Sequence, residues 1–475
     1  MKKLKIALIS PKGPLYRKKG GIFGRSLRYK PLTLPTLAAL LPSEIDIKLT
    51  CIDEGIEDVD PNLDADLIGM TVITGCAPRS YELAAMFRRR NITVVLGGPH
   101  ITLVPDEAQS HADAIVVGSA EEEWPRLVRD FVQGKLLSRY VQSPNLDLAG
   151  SPRPDRSVLP RRAYLTDDVF EATRGCVHDC DFCVVPATSG RRPFQRPVGE
   201  VFDDIISHGS KTAIFVDPNL IADRTYAMSL FKAITPLKIQ WYGLATTLLC
   251  QDIPLLDACA ASGCRGLLMG FESLSSKNLD QSRKGFNRPE EYETVVGRLH
   301  DRRIALQACF VFGMDEDDLG IFERTAKTVI DLKIDLPRFS IATPFPGTAL
   351  FARLEREGRI LTRNWEFYDG QHAVFRPKNM SPRELELGTE SAWKHAYSLR
   401  GMARRMWHSA ASWHVALVTN LGYRHYAHNL KRFYTCDLPA FTPNWSRFDD
   451  RSSVIASSEL VQPSIRISST AGSSR

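Results

Sequence analysis

The chain has 475 residues, more than one ordinary domain needs, so two or three domains are expected. Its net charge of +6 is too small to indicate nucleic-acid binding, and ten cysteines in so long a chain exclude a disulfide scaffold. No apolar run approaches the length of a membrane span, and the N-terminus lacks a signal-peptide cleavage site. We therefore expect a cytoplasmic globular protein.

Residues 1–140 alternate short apolar segments with helical ones. We predict strands at Lys5–Ile9, Ile45–Cys51, Ala65–Ile73, Ile92–Leu96 and Ala114–Val117, and helices at Leu32–Leu41, Arg79–Arg90 and Glu121–Val132. This alternation is typical of a doubly wound parallel α/β sheet, which binds ligands at the carboxyl ends of its strands. No G-x-G-x-x-G follows the first strand, so a nicotinamide site is not supported.

Glycines stand in the strand-end loops of this first domain, at Gly97, Gly98 and Gly118. Glycine lets a backbone approach a ligand closely, but it also makes tight turns, and glycine content alone favours the turn. His100 and His111 are the histidines of this domain. We assign neither as a metal ligand, because a surface or capping histidine is commoner.

Residues 141–160 are rich in proline and turn residues and are predicted to be a linker. In residues 161–370 the alternation resumes. The predicted strands are Asp168–Ala172, Thr212–Val216, Gln240–Leu244, Gly266–Met269, Ala305–Phe312 and Arg338–Ile341. Six strand–helix repeats predict a (β/α)6 partial barrel, with chemistry at the carboxyl ends of the strands.

A loop after the first of these strands, Arg174–Pro186, reads RGCVHDCDFCVVP. Its cysteines, Cys176, Cys180 and Cys183, have the spacing C-x3-C-x2-C. Three thiolates can ligate three irons of a 4Fe–4S cube, which leaves the fourth iron open to a small molecule. Three buried packing cysteines are the alternative, which the short spacing disfavours, and the pattern does not fit structural zinc.

At this loop the chain resembles the radical S-adenosylmethionine (SAM) superfamily, which has an aromatic residue before the third cysteine, here Phe182. GFES (270–273), VFGMDED (311–317) and TPFPGT (343–348) are similar to its signatures on strands four to six. The resemblance implies that the open iron binds SAM, which is then cleaved reductively to a 5′-deoxyadenosyl radical. Asp217, Asn219 and Glu272, at strand ends, are then expected to bind SAM together with Phe182.

The order of the domains resembles the cobalamin-binding branch of that superfamily. LGGPH (96–100) and VVGSAEEEW (116–124) are similar to strand-end loops of the branch. The resemblance implies cobalamin against Thr74, Gly97, Gly98 and Gly118, facing the cluster. The D-x-H-x-x-G motif of many cobalamin proteins is absent, as it is from many members of this branch.

The implied activity is cobalamin-dependent C-methylation of an unactivated carbon. One alternative is radical SAM chemistry without cobalamin: a rearrangement, a cyclisation or another group transfer. The other is a non-catalytic iron–sulfur protein, against which the three barrel signatures argue. The expected partners are a small-molecule substrate and a reductant such as flavodoxin or ferredoxin; no nucleic acid is expected.

Residues 371–446 are predicted to be helical. Residues 391–436 contain no Asp or Glu, but seven Lys or Arg and five His, with several aromatic residues. Such a segment can lie on an anionic membrane surface or form a cap on the barrel, and we favour the cap. The branch includes hopanoid-methylase-like proteins with a C-terminal extension, so a lipid-like substrate is an option. Residues 447–475 are Ser-rich and predicted to be a disordered tail.

Overall fold

The computed structural model describes residues 3–13 and 28–430. The predicted tail and the end of the predicted C-terminal helical region lie outside these residues. No helix in the described part of the chain is long and apolar enough to cross a bilayer.

The N-terminal sheet consists of six parallel strands: β1 (Leu4–Ser10), β2 (Ile47–Asp53), β3 (Leu67–Thr71), β4 (Thr93–Gly97), β5 (Ala114–Val117) and β6 (Arg139–Val141). Their order is β2-β1-β3-β4-β5-β6. The chain thus runs outward in opposite directions from β1, and the gap between β1 and β3 is the switch point where doubly wound sheets bind ligands. The middle strands are mainly apolar and largely buried because helices cover both faces of the sheet.

The helices of this part are α1 (Thr33–Ala39), α2 (Ala77–Arg88), α3 (Pro99–Leu103), α4 (Pro105–Gln109) and α5 (Glu123–Val132). Leu34 of α1 and Trp124 of α5 pack on one face of the sheet, and Phe87 of α2 packs on the other. The predicted α/β class is confirmed for this region.

A second sheet holds the strands predicted for the barrel. A short two-stranded sheet lies beside it. The strands of these two sheets are β7 (Val169–Phe170), β8 (Thr173–Arg174), β9 (Phe194–Gln195), β10 (Thr212–Phe215), β11 (Gln240–Leu244), β12 (Cys264–Glu272), β13 (Ala305–Phe312) and β14 (Arg338–Ile341). The large sheet is parallel, with the order β14-β13-β12-β11-β10-β7, whereas β8 and β9 form an antiparallel pair. Strands that pair in chain order, with β7 and β14 at the edges, match the predicted open (β/α)6 arrangement.

Helices follow the strands of the second sheet along the chain. They are α6 (Val184–Ser189), α7 (Val198–His208), α8 (Arg224–Ile234), α9 (Ile253–Ala261), α10 (Ser276–Gln281), α11 (Tyr292–His300), α12 (Ile321–Asp331) and α13 (Ala349–Arg356). Asp223, Asp252, Ser275 and Thr348 cap α8, α9, α10 and α13 by accepting a backbone N–H in the first turn. These caps help to fix the residue at which each loop ends and the following helix begins.

Three helices follow: α14 (Pro382–Ala396), α15 (Leu399–Met406) and α16 (Trp413–His428). The indole of the buried Trp393 donates to the carbonyl of Phe339 on β14, at 3.0 Å. Arg405 is buried and donates to the carbonyls of Ile334, Asp335 and Ala396. These helices therefore cap the barrel, as the favoured interpretation of this region predicts.

The two sheets are joined by the segment that follows α13. Trp365, Phe367, Tyr368 and Val374 belong to the same buried cluster as the strands of the N-terminal sheet. The indole of Trp365 donates to Glu107 on α4, at 2.9 Å. The carboxyl ends of the two sheets are consequently held against each other.

Candidate functional site

The cysteine loop is positioned by the short pair β8 and β9. Gly175 follows β8 with φ +91°, and a Cβ there would lie 2.6 Å from the carbonyl oxygen of Arg192. Only glycine fits this turn. At the other end, the backbone N–H of Cys183 donates to the carbonyl of Cys180, at 3.1 Å, and α6 begins immediately afterwards.

The three cysteines are all half-buried and close enough to influence one another electrostatically. Burial raises the pKa of the Cys180 thiol to about 12, and it also raises the pKa of Cys183. Within the described residues, the one triad of metal-ligating atoms lying within 4.8 Å of one another is that of Asp167, Asp168 and His208. The three cysteine sulfurs do not all lie within that distance of one another.

Asn219, which follows β10, lies against the cluster loop. Its side-chain amide is buried and donates to the sulfur of Cys176, at 3.8 Å. Its Oδ1 atom is buried and has no hydrogen-bond partner among the described residues. An unpaired acceptor beside Cys176, a predicted cluster ligand, suits a donor on a bound molecule, such as the ammonium group predicted for SAM.

Asp217 is fully buried, and its carboxylate accepts backbone N–H groups of Ala172 and Thr173. These residues are the last before the cysteine loop. Burial, reinforced by the charge of Glu171, raises the pKa of Asp217 to about 7. The structure thus shows Asp217 holding the backbone that enters the loop.

Glu272 ends β12 and forms a buried ion pair with Lys284. A register shift between Gly270 and Glu272 and a φ of +66° turn the Glu272 side chain toward the loop. A Cβ on Gly270 would lie 2.0 Å from Oε1 of Glu272 and 2.6 Å from Nζ of Lys284. The glycine of GFES therefore makes room for the ion pair.

Sequence reasoning missed Lys284, because a single lysine in a loop is normally a surface residue. Its ammonium lies 5.8 Å from the ring centroid of Phe182 and 5.9 Å from that of Phe286. Burial lowers its pKa, but the negative charge of Glu272, Cys180 and Cys183 outweighs burial and leaves the pKa raised. Lys284 thus places a permanent positive charge beside the cysteine loop.

A cavity of about 230 Å³ opens beside Phe182 at the ends of β13 and β14. Its lining is mainly apolar and includes Val311, Met314, Ile341, Phe345 and Phe375, with Arg353 and Asp315 at one side. Of the four residues predicted to bind SAM, Phe182 lines this cavity, whereas Asp217, Asn219 and Glu272 do not.

A second cavity, of about 330 Å³, lies between the N-terminal sheet and the cysteine loop. Its lining combines strand ends of the sheet with residues of α1, α5 and α6: Gly97, Gly98, Thr102, Gly118, Glu121, Arg174, Thr188 and Ser189 are among them. Three predicted cobalamin-binding glycines therefore meet at one cavity beside the cluster loop.

Gly97, Gly98 and Gly118 differ in what an added side chain would meet. A Cβ on Gly98, at φ +102°, would lie 2.7 Å from the backbone nitrogen of Val72, and one on Gly118, at φ +90°, would lie 2.7 Å from Gln142. On Gly97 the nearest atom would be 3.6 Å away. Gly98 and Gly118 are thus required by the backbone itself, whereas Gly97 leaves open space.

Thr74 does not line this cavity. Its hydroxyl lies 3.4 Å from Nδ1 of His100, which is fully buried and whose Nε2 lies 3.6 Å from Glu107. Among the described residues that line the cavity there is no histidine. His100 thus supports the loop through its contacts with Thr74 and Glu107.

Arg174 connects the second cavity with the cysteine loop. Its guanidinium pairs with Glu121 and Glu171, each at 2.7 Å, and donates to the hydroxyl of Ser119 at 3.2 Å. Burial opposes its charge, but the two carboxylates outweigh burial and raise its pKa. The other oxygen of Glu121 is buried without a partner in the described chain, an acceptor that fits the amide groups around a corrin ring.

Comparison with known proteins agrees with this arrangement. The "B12 binding domain" family model matches residues 26–128. The chain is 30% identical to bacteriochlorophyllide d C-12(1)-methyltransferase of Chlorobaculum tepidum over 81% of this chain and 86% of the relative. It is 26% identical to bacteriochlorophyllide d C-8(2)-methyltransferase of the same organism, over 85% and 94%.

A solved structure shares the fold. The radical SAM methyltransferase TsrM from Kitasatospora setae superposes with a TM-score of 0.62 at 19% identity, covering 74% of this chain and 76% of TsrM. Together with the similarity to methyltransferases over most of the chain, this explains why a cysteine loop faces a B12-type sheet. The chain belongs to the cobalamin-binding radical SAM methyltransferase family, whose cofactors are a 4Fe–4S cluster, SAM and cobalamin.

Proposed function

We propose that this chain methylates an unactivated carbon of a chlorophyll-type macrocycle, with Cys176, Cys180 and Cys183 as the cluster ligands. The observation that carries the proposal is the cavity of about 330 Å³ between the B12-type sheet and the cysteine loop. We keep the predicted division into domains: 1–140 for cobalamin, 161–370 for radical chemistry, and a helical region from 371.

When bound, the cluster supplies the electron that cleaves SAM, and cobalamin supplies the methyl group. The task of the protein is to place and shield the reacting groups. Phe182 lines the cavity of about 230 Å³ beside the cysteine loop. Outside that lining, we assign the unpaired oxygen of Asn219 to the ammonium group of SAM and the carboxylate of Glu272 to its hydroxyl donors. Asp217 acts through the backbone of Thr173, as a positioning residue for the loop.

The ion pair of Glu272 and Lys284 supplies both signs of charge beside the loop. We assign Lys284 to the carboxylate of SAM or to the charge of the cluster itself. The N–H of Asn219 toward Cys176 has a related effect, because hydrogen bonds to ligand sulfurs raise the reduction potential of a cluster.

For cobalamin, we propose that Gly97, Gly98 and Gly118 form the surface on which the corrin ring rests. Thr74 supports that surface through His100. Arg174 keeps Glu121 oriented at the side of the cavity that faces the cluster loop.

The substrate class rests on the similarity to two bacteriochlorophyllide methyltransferases over most of the chain. A lipid-like substrate is the second candidate, because both kinds of molecule are large and poorly soluble in water. We place the electron donor, such as flavodoxin or ferredoxin, at Val177, an exposed residue next to Cys176. A reducing cytosol is the compartment that an oxygen-sensitive cluster requires.

The test begins with protein purified without oxygen from cells supplied with cobalamin. We expect about four irons per chain and stoichiometric corrin. With a reductant, it should release 5′-deoxyadenosine and transfer a labelled methyl group from SAM to bacteriochlorophyllide d. Four irons without corrin would overturn the cobalamin assignment. Transfer to a hopanoid in place of the macrocycle would overturn the substrate assignment alone.

A further inference from the structure

The last two helices carry an exposed face of large apolar and basic side chains. Its most exposed members are Trp407, Val418, Trp413 and Leu399, which are 86%, 69%, 71% and 66% accessible. We call this surface the C-terminal face and define it by Leu399, Arg400, Arg404, Trp407, Trp413, His414, Val418 and Leu421.

The face is distinct from the side on which these helices pack. Ala416, Asn420 and Ala427 of α16 are buried toward the barrel. His414, Val418 and Leu421 are exposed and follow one another at intervals of four and three residues, so they form one stripe along the helix. The helix therefore exposes Val418 and Leu421 on a side that the barrel does not cover.

The two exposed tryptophans lie at the same end of the helix pair. Trp407 follows the last residue of α15 and Trp413 begins α16, with five residues between them. Large solvent-exposed apolar side chains grouped in this way mark an interaction surface. Tryptophan in particular favours a boundary between water and an apolar phase.

The charge of the face is of one sign. Residues 391–430 contain no Asp or Glu, and Arg400 and Arg404 stand on α15 between Leu399 and Trp407. Arg404 lies 3.3 Å from Asp331 on α12, an exposed carboxylate that offsets part of its charge, while 69% of the Arg404 side chain stays accessible. A second copy of this chain would bring like charges together, so self-association through this face is disfavoured.

The residues that follow carry no net acidic charge. Residues 431–475 carry six Lys or Arg and four Asp or Glu. An occupant that complements the face must be both anionic and apolar, extended enough to meet both helices, and able to accept tryptophan side chains at its boundary.

We propose that the C-terminal face docks on an anionic lipid bilayer, with α15 and α16 lying in the plane of the headgroups. Trp407, Trp413 and Val418 enter the boundary of the acyl chains, and Arg400 and Arg404 contact lipid phosphates. Docking of this kind needs no membrane-spanning helix. Docking would also hold the barrel at the lipid phase in which a water-insoluble substrate dissolves. Only this consequence, and not the docking itself, rests on the proposed function.

The test uses the full chain with its cluster, without substrate, and vesicles of phosphatidylcholine with or without phosphatidylglycerol. We expect sedimentation with the anionic vesicles only, weakening as salt is raised. Trp407→Ser/Trp413→Ser should lower the partition coefficient about tenfold or more. Arg400→Gln/Arg404→Gln should lower it by at least fivefold and up to roughly 25-fold at low salt, about fivefold for each charge that is free to meet the lipid.

A matched control is Val132→Ser/Leu165→Ser, because these side chains are exposed apolar residues outside the face, each 55% accessible. It should bind vesicles as the wild type does. All variants should still cleave SAM, and this activity is the control for folding. If the tryptophan double variant does not fold, vesicle binding by the arginine double variant tests the proposal. Equal binding to neutral and anionic vesicles would overturn the proposal. So would a dimer that the tryptophan variant converts to monomer with vesicle binding unchanged.

Discussion

The buried pair of Lys284 and Glu272 offers the sharpest test of the site. Lys284→Met keeps most of the length of the side chain but removes its charge. The carboxylate of Glu272 would then stay buried without the ammonium group with which it pairs in the wild type. The apolar methionine would still contact the rings of Phe182 and Phe286.

The expected cost follows from the burial of both partners. Removing one member of a buried ion pair costs about 3–5 kcal/mol, because the remaining charge is left uncompensated. For a domain of roughly 150–250 residues, each kcal/mol lowers the thermal midpoint by about 2–4 °C. We therefore expect Lys284→Met to lower the midpoint of the barrel by roughly 6–20 °C. Glu272→Gln/Lys284→Met should recover at least half of that loss.

The assay is thermal unfolding followed by circular dichroism, on anaerobic protein of equal iron content. Lys277→Met is the matched control, since Lys277 is exposed and lies 4.0 Å from the exposed Glu316. An exposed pair of this kind contributes little, so its midpoint should stay within about 2 °C of the wild type.

Two results would refute this reasoning. The first is a Lys284→Met midpoint as close to the wild type as that of the Lys277 control, which would mean that the pair is not buried in solution. The second is a double variant no more stable than Lys284→Met. The loss would then come from packing against Phe182, and not from an uncompensated carboxylate.

Three further predictions concern the cluster, the corrin and the loop. Cys183→Ala should lose most of its iron and SAM cleavage, whereas Cys259→Ala, at a buried packing cysteine, keeps both; equal iron content would contradict the ligand assignment. Gly98→Ala should lose corrin absorbance, because its Cβ would lie 2.7 Å from a backbone nitrogen, whereas Gly297→Ala, on the exposed side of α11 with no atom within 4 Å of the added Cβ, keeps it; loss in both would contradict the steric argument. Burial raises the pKa of Asp217 from 3.8 to about 7, so folding favours its protonated form and the wild type should lose stability as pH rises through that interval. Asp217→Asn should flatten that part of a plot of urea midpoint against pH, and an unchanged slope would count against the shift.

The fold was largely predictable because it depends on patterns that are local in the chain. Strand β13 begins and ends where the sequence predicts, at Ala305 and Phe312, since apolar runs between turn residues mark strands of a buried parallel sheet. Strand β12 is longer than predicted, because it continues through Gly270 to Glu272 across a register shift. A shift of this kind depends on neighbouring strands and leaves no local pattern.

The C-terminal region shows a different limit. The sequence offered a barrel cap and a membrane surface as alternatives, and the cap was favoured. The structure confirms the cap through Trp393 and Arg405, and it also leaves Trp407 and Trp413 exposed. Composition alone could not separate these side chains, because all four lie in one basic, aromatic stretch.

The sequence by itself determined the chemistry. The motif C-x3-C-x2-C with Phe182 consists of neighbouring residues on one loop, so it can be recognised without knowledge of the fold. Only the tertiary structure decided which residues surround that loop. Lys284 reaches Glu272 from a separate loop, Arg174 reaches Glu121 from another domain, and Asp217 is turned to backbone N–H groups. The reason is physical, since these contacts arise from strands distant in the chain whose carboxyl ends meet at one edge, and burial then sets the charge of each group.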